Sequence, residues 1–130
     1  MQSPDALNFR EIYGLDPNDL LGRAENSGLR NAIDELWNAR NTPSGGVGDG
    51  SSMSAMIVEM RTGQQVRGKW HLDKVLQRRS QLMRLLSSGN LSASDAEIAG
   101  SIIARMNRNL SRARSTNPQL WRKIGGPSRF

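Results

Sequence analysis

Cysteine is absent from this chain of 130 residues, and histidine occurs once, at His71. No disulfide framework and no thiolate metal site can form, and one imidazole cannot build a multi-histidine centre within one subunit. Long apolar runs are missing too. No stretch approaches the ~18 residues that span a bilayer, so no transmembrane segment is expected. The opening Met1-Gln2-Ser3-Pro4-Asp5 has neither the basic nor the apolar region of an export signal. A phosphate loop ending in Lys-Ser or Lys-Thr, a nucleophile elbow, and carboxylates at the close helical spacing of a two-metal site are also lacking. No metal and no cofactor are expected. Hydrophobic residues make up 36% of the chain and aromatics 5%, which fits one ordinary domain with a modest core.

Acidic residues are unevenly placed. Residues 1–60 hold nine acids and four bases, whereas residues 61–130 hold three acids and fourteen bases, for a net charge of +6. After Glu97 no acid follows, while Arg105, Arg108, Arg112, Arg114, Arg122, Lys123 and Arg129 do. Such a field concentrates phosphate-bearing ligands without specifying them, so RNA or DNA is the first expected partner, ahead of an anionic membrane or an acidic protein.

The pattern along the chain predicts a mainly α, small helical domain with a central antiparallel helical hairpin and a Gly-rich loop. Asp16-Pro17-Asn18-Asp19 reads as a helix start, with an aspartate cap and proline at the first helical position. Leu29, Ile33, Leu36 and Trp37 then recur at helical spacing over about residues 29–40. Four glycines crowd residues 45–50, which makes either a mobile linker or a tight loop. Met53, Met56, Ile57 and Met60 share one helical face, although the β-branched Ile57-Val58 keeps a short strand open, and Gly63 stops the run in either case. Residues 70–86 read as the firmest helix, with Leu72, Val75, Leu76, Met83 and Leu86 as its stripe and Lys74, Arg78 and Arg84 toward the other side. Ser92 and Asp95 have capping-box spacing, with Ser94 and Glu97 as a competing frame. The helix that follows carries Ile98, Ile102, Met106 and Leu110, and packs against the preceding one through a short connection. Residues 1–114 form the expected domain. Residues 115–130 are expected to be either a disordered basic tail or an irregular segment pinned by Trp121 and Phe130.

Candidate chemistry centres on Gly68-Lys69-Trp70-His71-Leu72-Asp73-Lys74. His71 is the one side chain whose ordinary titration range suits proton transfer near neutrality, and Lys74 lies about one helical turn further on. In a metal-free ribonuclease an imidazole can take the 2′-hydroxyl proton while cations stabilise charge growing on the phosphoryl oxygens. His71, Lys74 and Lys69 are therefore the leading catalytic candidates, with Arg61 and Glu59 behind them across the Thr62-Gly63 turn, while a lone histidine at a helix start also reads as an exposed or capping residue or a plain RNA contact. Trp70 is a candidate base-stacking residue and equally a candidate core residue. Arg105, Arg108 and Arg112, at three- and four-residue spacing, predict one basic helical face for nucleic acid, and Arg67 and Arg78 add to it.

The run Leu29-Arg30-Asn31-Ala32-Ile33-Asp34-Glu35-Leu36, the glycines of residues 45–50, Ala55, Glu59, Thr62-Gly63, Val66, Gly68-Lys69, His71 and Lys74 resemble a domain at the extreme C-terminus of bacterial polymorphic toxins. These include contact-dependent growth-inhibition and Rhs-type proteins. The resemblance covers roughly residues 29–112. It departs at Ser52, where threonine is usual, at Ser54 for aspartate, at Ile57 for arginine, and at Arg67 for the first glycine of the Gly-Gly-Lys element. The resemblance implies an antibacterial effector exported as the C-terminal part of a larger protein and acting in the target-cell cytoplasm. It also implies neutralisation by a cognate immunity protein, expected to carry an acidic surface. The basic half and the His71 element add the expectation of a metal-independent ribonuclease, with tRNA among its candidate substrates. The alternative is a non-enzymatic RNA- or protein-binding interaction domain.

Overall fold

A computed structural model describes residues 21–37 and 52–129. The helix start at Asp16-Pro17 and the glycine-rich residues 45–50 lie outside the described residues. The elements are α1 (Ser27–Trp37), α2 (Ser52–Thr62), α3 (Leu72–Ser88), α4 (Ala93–Thr116) and α5 (Pro118–Lys123), with a further helical turn at residues 21–23. The protein is mainly α. Among the described residues there is no strand, and an isolated bridge pairs Val66 with Lys69.

α2 follows directly from its sequence: Met53, Met56, Ile57 and Met60 stand at i, i+3, i+4 and i+7 and are all buried. It packs on α4, which is the organising element of the fold and also contacts α3 and α5. The stripe Ile98, Ile102, Met106 and Leu110 is fully or nearly fully buried, as its spacing predicts. α3 ends at Gly89, which takes the left-handed φ of 74° that favours glycine at this position. Residues 89–92 then lead into α4, and Arg79 Nε donates to Asn107 Oδ1 at 2.6 Å between the two helices.

The stripe expected on α3 is corrected. Leu72, Val75 and Leu82 are buried, whereas Met83 and Leu86 are exposed. α3 lies between α1 and α4, and the contacts it makes on both flanks rotate the buried face away from Met83.

Ser92 caps α4 by accepting the Asp95 N–H at 3.1 Å, so the first of the two capping frames is the one used. The Asp95 carboxylate reaches elsewhere: it accepts the N–H groups of Glu25 (3.2 Å) and Asn26 (2.8 Å). Asn26 in turn caps α1, its Oδ1 accepting the Leu29 N–H at 3.0 Å. One buried carboxylate thus ties the starts of α1 and α4 together.

Residues 117–129 fold back onto the helices. Asn117 Oδ1 accepts the Leu120 N–H at 3.1 Å and starts α5, while its Nδ2 donates to the Met60 carbonyl at 3.3 Å. Trp121 is 1% exposed and belongs to the core. Its Nε1 donates to the Pro127 carbonyl at 2.8 Å, and Gly126 lies so close to the indole that an added Cβ would stand 2.3 Å from the ring. The sequence predicts either a disordered tail or an irregular segment for residues 115–130; Pro118–Lys123 is instead helical, with Trp121 buried as the pinning residue, and Phe130 lies outside the described residues.

Candidate active site

The site is built on the nine residues, 63–71, that turn the chain from α2 into α3. Thr62 closes α2 by donating its hydroxyl to the Val58 carbonyl at 2.9 Å, and Gly63 takes a φ of 72°. A tight turn follows between the bridged residues Val66 and Lys69, with Arg67 at φ 57° and Gly68 at φ 76° in its centre. Two consecutive positive φ angles are the signature of a type I′ turn, which suits glycine at both positions. The arginine at position 67 therefore occupies a left-handed backbone conformation that favours a residue without Cβ.

Beneath the turn lies Glu59, which is 0% exposed. A buried carboxylate is costly unless its oxygens are hydrogen-bonded. Here Oε1 accepts the His71 N–H at 2.9 Å, Oε2 accepts the Val66 N–H at 3.0 Å, and Oε2 also lies 2.9 Å from His71 Nδ1. Glu59 therefore fixes both ends of the turn and the ring of His71. The Glu59 charge also sits at the N-terminus of α3, for which His71 is the N-cap residue, a favourable position in the field of the helix.

The ring of His71 is itself buried, 7% exposed, with Nδ1 turned to the carboxylate and Nε2 as the other ring nitrogen. Among the described residues Nε2 has no hydrogen-bond partner. The carboxylate orients the ring, and a carboxylate–imidazole pair of this kind can serve as a general base or as a structural brace.

Cations gather around Lys74. Lys74 stands one turn beyond His71 on α3, with Nζ 3.9 Å from Glu35 Oε2 of α1. Burial, and then the neighbouring charges of Lys69, Arg78 and Arg67, hold the Lys74 ammonium below the ordinary lysine pKa, against the opposing pull of Glu35. Lys69 and Arg67 are exposed and Arg78 is half-buried. Trp70 is half-buried; with the Gln65 amide oriented to suit its neighbours, Trp70 Nε1 donates to Gln65 Oε1 at 3.1 Å and Gln65 Nε2 donates to the Gly68 carbonyl at 3.2 Å. Its indole N–H thus braces the turn.

The structure therefore joins Glu59, a weaker candidate on sequence grounds, directly to His71, and brings Lys74, Lys69, Arg67 and Arg78 within one field. Arg61 and Arg108 are exposed and make no hydrogen bond or ion pair among the described residues. The basic face expected on α4 is corrected at Arg105, which is 2% exposed: its position falls on the flank of the helix that packs against α2, where Asn109 donates to the Arg105 carbonyl at 3.0 Å and to Met53 Sδ at 3.7 Å. Arg112 is half-buried. Ile57 is a core residue. Glu35 was not among the sequence candidates, because nothing in the local pattern pairs it with a lysine on another helix.

Among the described residues no group of three or more His, Asp or Glu side chains is placed to hold a metal ion, and no helix is long and apolar enough to cross a membrane. Set against known protein families, curated proteins and solved structures, the chain matches none.

Proposed function

We propose that the domain cleaves RNA, with His71 as the proton-transfer group. The observation that carries the reading is the 2.9 Å contact between His71 Nδ1 and the buried Glu59 carboxylate, which leaves Nε2 as the ring nitrogen without a partner among the described residues, with Lys69 and Lys74 close to it in sequence. Nε2 takes the proton of a 2′-hydroxyl. The 2′-oxygen then bonds to the adjacent phosphorus as the bond from phosphorus to the 5′-oxygen breaks. Water protonates the departing 5′-oxygen, and the hydroxide left behind is neutralised by the proton on His71. The products are a 2′,3′-cyclic phosphate and a free 5′-hydroxyl. Lys74 and Lys69 stabilise the charge that grows on the non-bridging oxygens, a contribution that is largest where water is partly excluded.

The resemblance to polymorphic-toxin termini supplies the setting of this proposal. The domain acts as a delivered antibacterial effector in the cytoplasm of a target cell, and an immunity protein with an acidic surface neutralises it. Complementarity with the basic half would speed that association.

The experiment that tests the reaction uses an RNA oligomer and the same oligomer with 2′-deoxynucleotides throughout. Cleavage of the first to fragments ending in 2′,3′-cyclic phosphate, with the second left intact, is the expected result. Cleavage of both overturns the 2′-hydroxyl chemistry. Binding of RNA without cleavage transfers the reading to a non-enzymatic interaction domain.

A further inference from the structure

α2 and α4 run in the same direction: Met53 Sδ meets Asn109 Nδ2 at 3.7 Å, and further along both helices the Met60 carbonyl meets Asn117 Nδ2 at 3.3 Å. α3 returns antiparallel to α4, with Arg79 bonded to Asn107. The end of α2, residues 63–71, the start of α3 and the start of α5 therefore collect at the C-terminal end of α4. Its N-terminal end is about 36 Å away, for a helix of 24 residues.

The charge asymmetry of the sequence becomes a polarity along that axis. Around the start of α4 stand Asp95, the exposed Glu97 and, bonded to Asp95, the exposed Glu25. At the other end Arg61, Arg67, Lys69, Arg122 and Lys123 are exposed, and their side chains make no hydrogen bond or ion pair among the described residues. Of the acids toward this end Glu59 is buried and Glu35 pairs with Lys74. Asn117 sets α5 against α2, since its Nδ2 holds Met60 while its Oδ1 caps α5. Arg61 directly follows Met60, and Arg122 lies about 8 Å along α5 from Asn117. Arg61 is also two residues beyond Glu59, which holds His71. Unpaired cations drawn from separate segments onto one exposed surface make a site for a polyanion.

We propose that the end of the bundle carrying Arg61, Arg122 and Lys123 is a docking surface for the phosphate backbone of an RNA strand, which it holds beside the turn that bears His71. The inference rests on the RNA-cleavage reading for the identity of the strand. It moves the nucleic-acid surface from the length of α4, where Arg105 is buried, to the end of the bundle.

Binding is measured by fluorescence anisotropy at about 0.1 M salt, with single-stranded oligomers of about ten nucleotides that lack 2′-hydroxyls and cannot be cleaved. Arg61→Gln with Arg122→Gln should weaken binding about tenfold. The slope of log affinity against log salt should fall by about 1.4, the share of two phosphate contacts on a single strand. The control removes the same net charge elsewhere: Arg23 and Arg84 are exposed and stand toward the acidic end. Arg23→Gln with Arg84→Gln should leave the slope unchanged, because charges well beyond the Debye length of about 10 Å are screened. Arg61→Lys with Arg122→Lys should keep most of the wild-type slope.

Equal losses in the two Gln pairs would mean that net charge alone attracts the strand, and would overturn the surface. In the wild-type chain a saturating oligomer should shield Lys123 from amine acylation; an unshielded Lys123 overturns the surface even if a variant fails to fold. Tighter binding of a polyglutamate peptide than of the oligomer overturns it as well, in favour of an acidic protein partner. The expected split between the pairs without RNA cleavage supports the surface and defeats the cleavage reading, and cleavage without the split does the reverse.

Discussion

Glu59 grips His71 at two points, with Oε1 on its backbone N–H and Oε2 on its Nδ1, each at 2.9 Å. Fold and proposed chemistry therefore share one carboxylate: the bond that starts α3 also orients the imidazole.

Glu59→Gln tests that sharing. The amide keeps one acceptor and turns an NH2 group toward atoms that a carboxylate oxygen now serves, so one buried donor loses its partner. Urea unfolding should show a loss of about 1–3 kcal/mol. Turnover should fall further than the unfolded fraction explains, because the imidazolium formed on proton transfer loses its counter-charge. A variant with full activity would show that Glu59 is only a structural brace.

The chain end should be indispensable. Trp121→Ala removes a fully buried indole and should cost about 3–5 kcal/mol. Gly126→Ala forces a methyl against that ring and should cost about 1–3 kcal/mol. Truncation after Arg114 should abolish cooperative thermal unfolding, and a truncated chain that melts like the full one would contradict the placement of Trp121.

Much of this was legible in the sequence where information is local. The Met53, Met56, Ile57 and Met60 face, the glycine stop at Gly63 and the Ser92 cap all follow from spacing within a few residues. What escaped depends on partners far along the chain. Asp95 matches a capping box by spacing, yet its carboxylate holds Glu25 and Asn26, some 70 residues away. Glu59 and His71 are twelve residues apart across an irregular turn, and no periodicity links them. Arg105 looks like the first member of a basic stripe, and only the packing of α2 on α4 shows that it is inside. On α3 the choice between Leu82 and Met83 as the inward residue rests on two flanking helices, which no single-helix pattern contains.

Arg67→Gly should stabilise the protein while weakening nucleic-acid binding. A left-handed non-glycine residue costs about 1–2 kcal/mol, and the extra chain entropy of glycine offsets about 0.5–1 kcal/mol of the relief. A net gain of about 0.5–1 kcal/mol in denaturant unfolding is expected, together with a shallower salt dependence of RNA binding. A destabilised variant would mean that the Arg67 side chain contributes more than its backbone costs.

Lys74 should lose its proton at lower pH than an ordinary lysine, as amine-specific acylation followed across pH can show. The sign for stability is fixed by that direction. As pH rises from the lowered folded pKa toward the ordinary lysine value, the unfolded chain holds the Lys74 proton longer than the folded one. The contribution of this residue to stability therefore increases across that window. A bound phosphate should move the titration back upward, and no movement on adding RNA would place the ligand elsewhere.

The proposed reaction depends on proton transfer by His71. Its most direct test is the rate of cleavage of total cellular RNA by purified wild-type and His71→Ala proteins, in the presence of a chelator and resolved on a denaturing gel. The account predicts discrete fragments from the wild type and a rate lower by roughly 10²- to 10⁴-fold in the variant, with both proteins folded by circular dichroism. Equal cleavage by the two, or intact RNA from both alongside equal toxicity in cells, would contradict it.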